Sequence, residues 1–275
     1  MPPALIVISL LVLLFVLRLA YEPALVQWRR QRVRRQPFPD AWRDILKRRV
    51  PLFRALPADL QLQLKKHIQV FLAEKEFIGC RGQAITDEVR VTIAAQACLL
   101  LLNRHTHYFP GLRQILVYPG AFIVDRKHMD YDGVLQEQRQ VLEGESWEQG
   151  QVILSWQDTL EGAAVADDGR NLVIHEFAHQ LDQENGEANG APPMAGRRHY
   201  KRWSQVMYRE YRQLKRARGL NVDTLLDKYG ATSPAEFFAV ISETFFEQPG
   251  PLAGQHPALY EELSRYYRVN PLSWH

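Results

Sequence analysis

The hydrophobic positions change their period several times along the chain, and each change marks an element. Ala4 to Leu17 carries no charge and has Ser9 as its only polar residue, and the apolar character resumes after Arg18 as far as Tyr21. Fourteen clean residues fit the core of a signal peptide, whereas the whole stretch reaches the length of a membrane span when Arg18 snorkels to the interface. No basic residue precedes the run, and no small-residue cleavage site follows it before Trp28-Arg29-Arg30, so an uncleaved transmembrane helix seated in the lipid bilayer through residues 4–21 is expected. Arg29, Arg30, Arg32, Arg34 and Arg35 crowd one side of it, and the positive-inside rule then predicts a single-pass protein of the inner membrane whose remainder faces the cytoplasm. The expected organisation is an anchor over 1–21, a basic juxtamembrane linker over 22–36, and one folded domain over 37–275 opened by Gln36-Pro37-Phe38-Pro39.

Within the folded part, Leu60, Leu64, Ile68 and Phe71 form one stripe and predict an amphipathic helix from Leu56 to Phe71. Thr86-Asp87-Glu88 reads as a helix start ahead of a long apolar run to Leu102, in which Ala94, Ala95 and Ala97 predict close packing. Alternation then replaces helical spacing. Gln114–Tyr118 and Ala121–Asp125, separated by Pro119-Gly120, predict short strands, and Gln138–Leu142 and Val152–Trp156 predict a strand pair joined by an acidic loop. An exposed edge at the last of these would pair with an extended peptide. Beyond it lie a helix at Asn171–Asp182, a turn-rich connection to Pro192-Pro193, and a basic helix from Gly196 to Arg218 with Trp203, Met207, Tyr211 and Leu214 inward. Ser233 as N-cap and Pro234 at the first turn open another helix. Helices, then strands, then helices indicate an α+β domain with a small mixed sheet and a helical C-terminal part.

Charge and cysteine content change this picture little. A net charge of +3 over 275 residues implies no nucleic-acid partner, although eleven Lys or Arg against three acids between Arg18 and Arg54 concentrate the basic charge early. The basic side of the Gly196–Arg218 helix reads as a solvated face, or as one leaning on anionic lipid headgroups. Cys80 and Cys98 are the only cysteines, too few for a disulfide framework or a cysteine-type zinc site. His67, His105 and His107 lack a partner at helical spacing and read as structural or solvated.

The chemistry lies at residues 171 to 182. His175, Glu176 and His179 stand in the order H-E-x-x-H, and residues four apart on a helix share a face, so two imidazoles can close on one tetrahedral zinc ion with Glu176 beside it to take a proton from its water. Between Asn171 and Leu181 only Glu176 is charged, which suits a buried helix presenting ligands to a cleft. A third ligand is needed. Glu236 and Glu243, seven apart, share a face of the helix opened by Ser233. Ser233-x-x-Glu236 also reads as a capping box, and Glu243 also reads as a buried acceptor orienting a metal-bound imidazole; spacing leaves both alternatives open. Asp182, three past His179, either supports the site from behind or continues the polar face.

The strings PFPDAW, ITDEVRVTIAAQACLLLL, HEFAHQLD, ENGEANGAPP, KYGATSPAEFFAVISETFFEQP and HPALYEELSRYYRVNP resemble the Mlc titration factor A family of zinc peptidases from about Pro37 to the C-terminus. That family is similar in its catalytic core to the anthrax lethal factor peptidase domain, where a Tyr-Gly segment stands seven residues ahead of a metal-binding Glu. Tyr229-Gly230 stands seven ahead of Glu236 here. The resemblance therefore implies a zincin-like fold, one Zn2+ per chain on His175, His179 and Glu236, Glu176 as general base, and Tyr229 as the phenol facing the reacting carbonyl. It further implies a peptidase of the gluzincin type, an aminopeptidase or oligopeptidase. The lethal factor helix has a second Glu four residues after its ligand, where this chain has Val240, so Glu243 must do that work or the work is dropped. The family is also known for sequestering a transcriptional repressor, which implies an alternative: a regulatory binding protein with such a repressor as partner and a mainly structural zinc site. A zinc hydrolase acting on something other than peptides is a weaker reading, and no phosphate-cradling glycine loop is present.

Overall fold

The computed structural model describes every residue except 1, 2, 105, 106, 130–134, 143, 148, 149 and 275, and it divides into two compact units, Met1–Phe38 and Pro39–His275. The first unit holds a single helix, α1 (Pro3–Arg34), which continues through Pro23 and into the arginines. The transmembrane helix expected over residues 4–21 is corrected here, because among the described residues no helix is long and apolar enough to cross a membrane. Length is the physical reason. The uncharged run Ala4–Leu17 spans about 21 Å as a helix, against a hydrocarbon core of about 30 Å, and Arg18 and Glu22 follow it in the same helix. Residues 22–34, expected as a linker, belong to that helix as well.

The second unit is mostly helical α+β. Its elements run α2 (Asp40–Arg49), α3 (Pro51–Ala55), α4 (Ala58–Glu74), β1 (Glu76–Gly79), α5 (Asp87–Leu99), β2 (Gln114–Tyr118), β3 (Phe122–Met129), β4 (Leu135–Leu142), β5 (Gly144–Trp147) and β6 (Gln151–Ser155). The remainder is α6 (Trp156–Ala164), α7 (Leu172–Asp182), α8 (Arg197–Gly219), α9 (Pro234–Glu247), α10 (Pro249–Gln255) and α11 (Pro257–Tyr267). At the centre lies α5, opened by the Thr86 hydroxyl, which accepts a hydrogen bond from Val89 N at 3.3 Å. Every residue of α5 from Val91 to Leu99 is buried, and its alanines allow α4, α2 and α7 to approach it. In α4 the stripe Leu60, Leu64, Ile68 and Phe71 is buried, as helical spacing demands.

The four-stranded sheet has the order β1-β2-β6-β5. Strands β1, β2 and β6 are parallel, and β5 is an antiparallel edge paired with β6 through Gly144↔Leu154 to Trp147↔Gln151. Buried Ile115, Val117, Val152 and Leu154 form its interior. Three strand expectations are revised. The pair expected of Gln138–Leu142 and Val152–Trp156 does not form: β4 pairs with β3 in a separate antiparallel ribbon, and β6 lies between β2 and β5. Strand β6 is internal, so the edge beside α7 is β5 instead. Strand β1 had no counterpart among the expected elements.

Two aromatic groups set the positions of the helices that matter. Phe71, Phe109 and Phe177 meet edge-on, with Phe109 and Phe177 centroids 4.8 Å apart, and they seat α7 against α4. Phe238, Phe245, Phe246, Tyr266, Tyr267 and Trp203 seat α9 against α8 and α11. Fully burying each such ring stabilises the fold by roughly 1.5–3 kcal/mol, which anchors each helix to those neighbours.

His67, expected as structural, is buried with Nδ1 2.8 Å from Tyr108 Oη, and His107 is exposed. His105 lies outside the described residues.

Candidate metal centre

The N-terminus of α7 is capped by Asn171, whose Oδ1 accepts from Ile174 N at 3.0 Å. Val173, Ile174, Phe177, Ala178 and Leu181 take up the core-facing sides of the helix. The remaining face presents His175 and His179, one turn apart, to α9, with ring centroids 5.0 Å apart and planes at 78°. Opposite them, α9 starts at Ser233, whose Oγ accepts from Glu236 N at 3.1 Å. Only half of the capping box forms. The Glu236 carboxylate leaves its own helix start and places Oε2 3.0 Å from His175 Nε2 and 3.5 Å from His179 Nε2.

His175, His179 and Glu236 each offer one ligand atom, and these atoms all lie within 4.8 Å of one another. The donor set fits zinc: two imidazole nitrogens and a carboxylate oxygen from three side chains. The fit extends behind the first histidine. His175 Nδ1 lies 2.7 Å from Glu243 Oε1, which fixes the ring and leaves Nε2 for the ion. Val240, where the lethal factor helix has its second Glu, is buried and closes against Gly230.

Electrostatics follow from burial and crowding. Burial raises the Glu176 carboxyl to about 7, with His175 and His179 working against the rise. Burial would also raise Glu236, but hydrogen bonds and charge from His175 and His179 outweigh it and hold that carboxyl far below the ordinary range. Burial lowers the His175 imidazole, and the charge of Glu243 together with hydrogen bonds to Glu236 and Glu243 more than reverses this, leaving it raised. Three carboxylates around two imidazoles make a site that attracts a cation.

Tyr229 sits in the 3-10 turn Lys228–Ala231, anchored by Asp227, whose Oδ1 accepts from Tyr229 N at 2.9 Å. Its ring centroid is 6.1 Å from that of His175, and the side chain is 54% exposed, so it stands at the mouth of the site. Asp182 does not continue a polar face. It is fully buried and accepts from Gly190 N at 2.6 Å, while Trp203 Nε1 donates to Gly190 O at 2.9 Å. Gly190 has φ +76°, and a Cβ there would lie 2.4 Å from Pro234 O, so this loop abuts the start of α9 and only glycine fits.

Sequence reasoning missed Glu247 and the wider part played by Asn171. Asn171 N donates to Glu243 Oε2 at 2.6 Å, and Asn171 Nδ2 donates to Glu247 Oε1 at 2.9 Å and to Gly162 O at 3.1 Å. A signal existed: Glu236, Glu243 and Glu247 are the only charged residues of α9, and they fall on one stripe of an otherwise apolar helix.

Two histidines one helical turn apart, a glutamate from a second helix and a buried glutamate between them define a metallopeptidase-type centre. Comparison with known proteins agrees. Residues 25–268 match the family described as glucose-regulated metallo-peptidase M90, and the chain belongs to that family. It is 43% identical over 252 residues to an uncharacterized protein of Synechocystis sp., covering 91% of each chain. It is also 32% identical over 247 residues to Mlc titration factor A of Escherichia fergusonii, covering 89% of this chain and 91% of that one, and 34% identical over 232 residues to Mlc titration factor A of Salmonella agona, covering 84% and 86%.

Proposed function

We propose that the chain is a zinc-dependent peptidase of the gluzincin type, with His175, His179 and Glu236 as ligands. The observation that carries this reading is the convergence of those three ligand atoms beside the buried Glu176. Bound zinc would lower the pKa of a coordinated water toward about 7 and polarise a scissile carbonyl. The chain's own groups supply the rest. Glu176, with its carboxyl near 7, accepts a proton at its carboxylate and returns it to the leaving amine. Tyr229, at the mouth, donates its phenolic O–H to the oxygen that gains charge as the carbonyl is attacked. The outer edge of β5 takes the substrate as an added antiparallel strand, and at four residues long it suits short peptides, as an aminopeptidase or oligopeptidase requires.

The test is Glu176→Gln in the full chain. It is expected to bind zinc as the unsubstituted protein does and to lose peptide hydrolysis by about 100-fold or more. Unreduced hydrolysis by that variant would overturn the reading. A second reading, a regulatory protein that binds a partner, draws support from the name titration factor carried by relatives. A binder would keep its biological effect in Glu176→Gln, and a peptidase would not.

A further inference from the structure

The polar contacts between α7 and α9 form an ordered ladder. Moving along α7 from Asn171 to His175 to His179, the partners on α9 run from Glu247 and Glu243, to Glu243 and Glu236, to Glu236 alone. The two helices therefore run in opposite directions, and positions i, i+4 and i+8 of one meet i+11, i+7 and i of the other. The metal ligands occupy only the last rungs. Asn171 occupies the first, with the side chain 1% exposed and its backbone N–H, Oδ1 and Nδ2 all engaged.

We propose that Asn171 and Glu247 are positioning residues for the metal centre, a buried amide–carboxyl clasp that fixes the register of α7 on α9 and so holds Glu243 against His175. This rests on the reading of His175, His179 and Glu236 as metal ligands. Glu243 reaches His175 Nδ1 with one oxygen only because its other oxygen is tied to Asn171 N. Asn171 in turn is held from behind, by Glu247 Oε1 and by Gly162 O. Gly162 comes so close that a Cβ on it would lie 3.1 Å from Asn171 Cα. Release of the clasp lets α7 slide or turn on α9, and because ridges interlock, a small shift moves both imidazoles relative to Glu236. Glu247 is buried and lies near the Asp168 and Glu243 carboxylates, and burial raises its carboxyl to about 9. Its Oε1 accepts from Asn171 Nδ2. Glutamine keeps that carbonyl-type acceptor; methionine fills the volume and supplies none.

The experiment compares zinc affinity, by competition with a chelator, in the full chain and in Glu247→Met, Glu247→Gln and Ser242→Ala. Ser242 is equally buried on another side of α9, where its hydroxyl is 2.7 Å from Tyr267 Oη, so its loss weakens packing without touching the ladder. Glu247→Met is expected to bind zinc about 10-fold more weakly or worse, Glu247→Gln within about twofold of the unsubstituted chain, and Ser242→Ala unchanged in affinity even where its melting temperature falls. Equal affinity in folded Glu247→Met, or an equal loss in Ser242→Ala, overturns the proposal. Should Glu247→Met fail to fold, Asn171→Ser keeps a capping hydroxyl and removes the amide, and the same loss is expected. A readout independent of zinc separates this proposal from the ligand reading: a downfield imidazole N–H proton from His175 Nδ1, seen by NMR in the unsubstituted chain and Glu247→Gln and lost in Glu247→Met. If the unsubstituted chain binds no zinc, the ligand reading fails, and persistence of that proton in Glu247→Met would sink the clasp by itself.

Discussion

Glu236 faces two competing demands, and tertiary structure decides between them. Its backbone N–H satisfies the local one, by donating to Ser233, while its carboxylate turns to two histidines some sixty residues earlier in the chain. The histidine pair was legible in sequence because four-residue spacing on a helix is a local geometric fact. The choice between Glu236 and Glu243 was not legible from spacing, because a separation of seven puts both on one face, and only the opposite directions of α7 and α9 bring Glu236 to His175 Nε2 and Glu243 to its Nδ1. Tyr229 makes a prediction at this scale. Its exposure leaves the folded state little dependent on its hydroxyl, so Tyr229→Phe is expected to melt as the unsubstituted chain does and to lose kcat by about 100-fold with little change in KM. Steady-state kinetics on a peptide substrate checks this, and an unchanged kcat would remove Tyr229 from the reaction.

Among elements, those readable in the chain were the ones with a strong period. The stripe of α4, the buried run of α5 and the capped helices α7 and α9 all declare themselves by spacing and by Thr86, Asn171 and Ser233. Pairing within the sheet did not, because β1 meets β2 across α5 and β2 meets β6 across β3, β4 and β5, and nothing local fixes their order; β1, four residues long and half-buried, gives almost no signal. At the other end of the chain, residues 4–21 read as a membrane span, yet among the described residues no helix is long and apolar enough to cross a membrane, and α1 runs on into the arginines. Gly190 tests how one loop positions an element. Gly190→Ala must adopt φ +76° with a Cβ driven toward Pro234 O, so it is expected to destabilise the fold by more than about 1 kcal/mol in denaturant titration and to weaken zinc binding as the start of α9 shifts. Unaltered stability and affinity would mean that this contact does not set α9.

At the scale of the whole molecule, stability is linked to pH through carboxyls that folding perturbs in opposite directions. Glu210 is held below its ordinary value by a hydrogen bond from His256, so its stabilisation is present above about 4.5 and is lost as pH falls through the lowered value. Glu247 is raised by burial beside Asp168 and Glu243 from 4.5 to about 9, so its contribution is complete below 4.5 and is lost as pH rises toward about 9. Glu247→Gln removes that loss. Thermal melts are expected to coincide with those of the unsubstituted chain below pH 4.5 and to lie above them near pH 9. Curves that stay parallel across this range would show that Glu247 ionises as an ordinary carboxyl.

The account depends on one ion held jointly by α7 and α9. The direct measurement is the zinc content per chain, after exhaustive dialysis, of the unsubstituted protein, His179→Ala and Glu236→Ala, each first shown to be folded. About one zinc per chain in the first and its loss from both variants is the predicted result; full zinc content retained in folded Glu236→Ala would contradict a centre shared between the two helices.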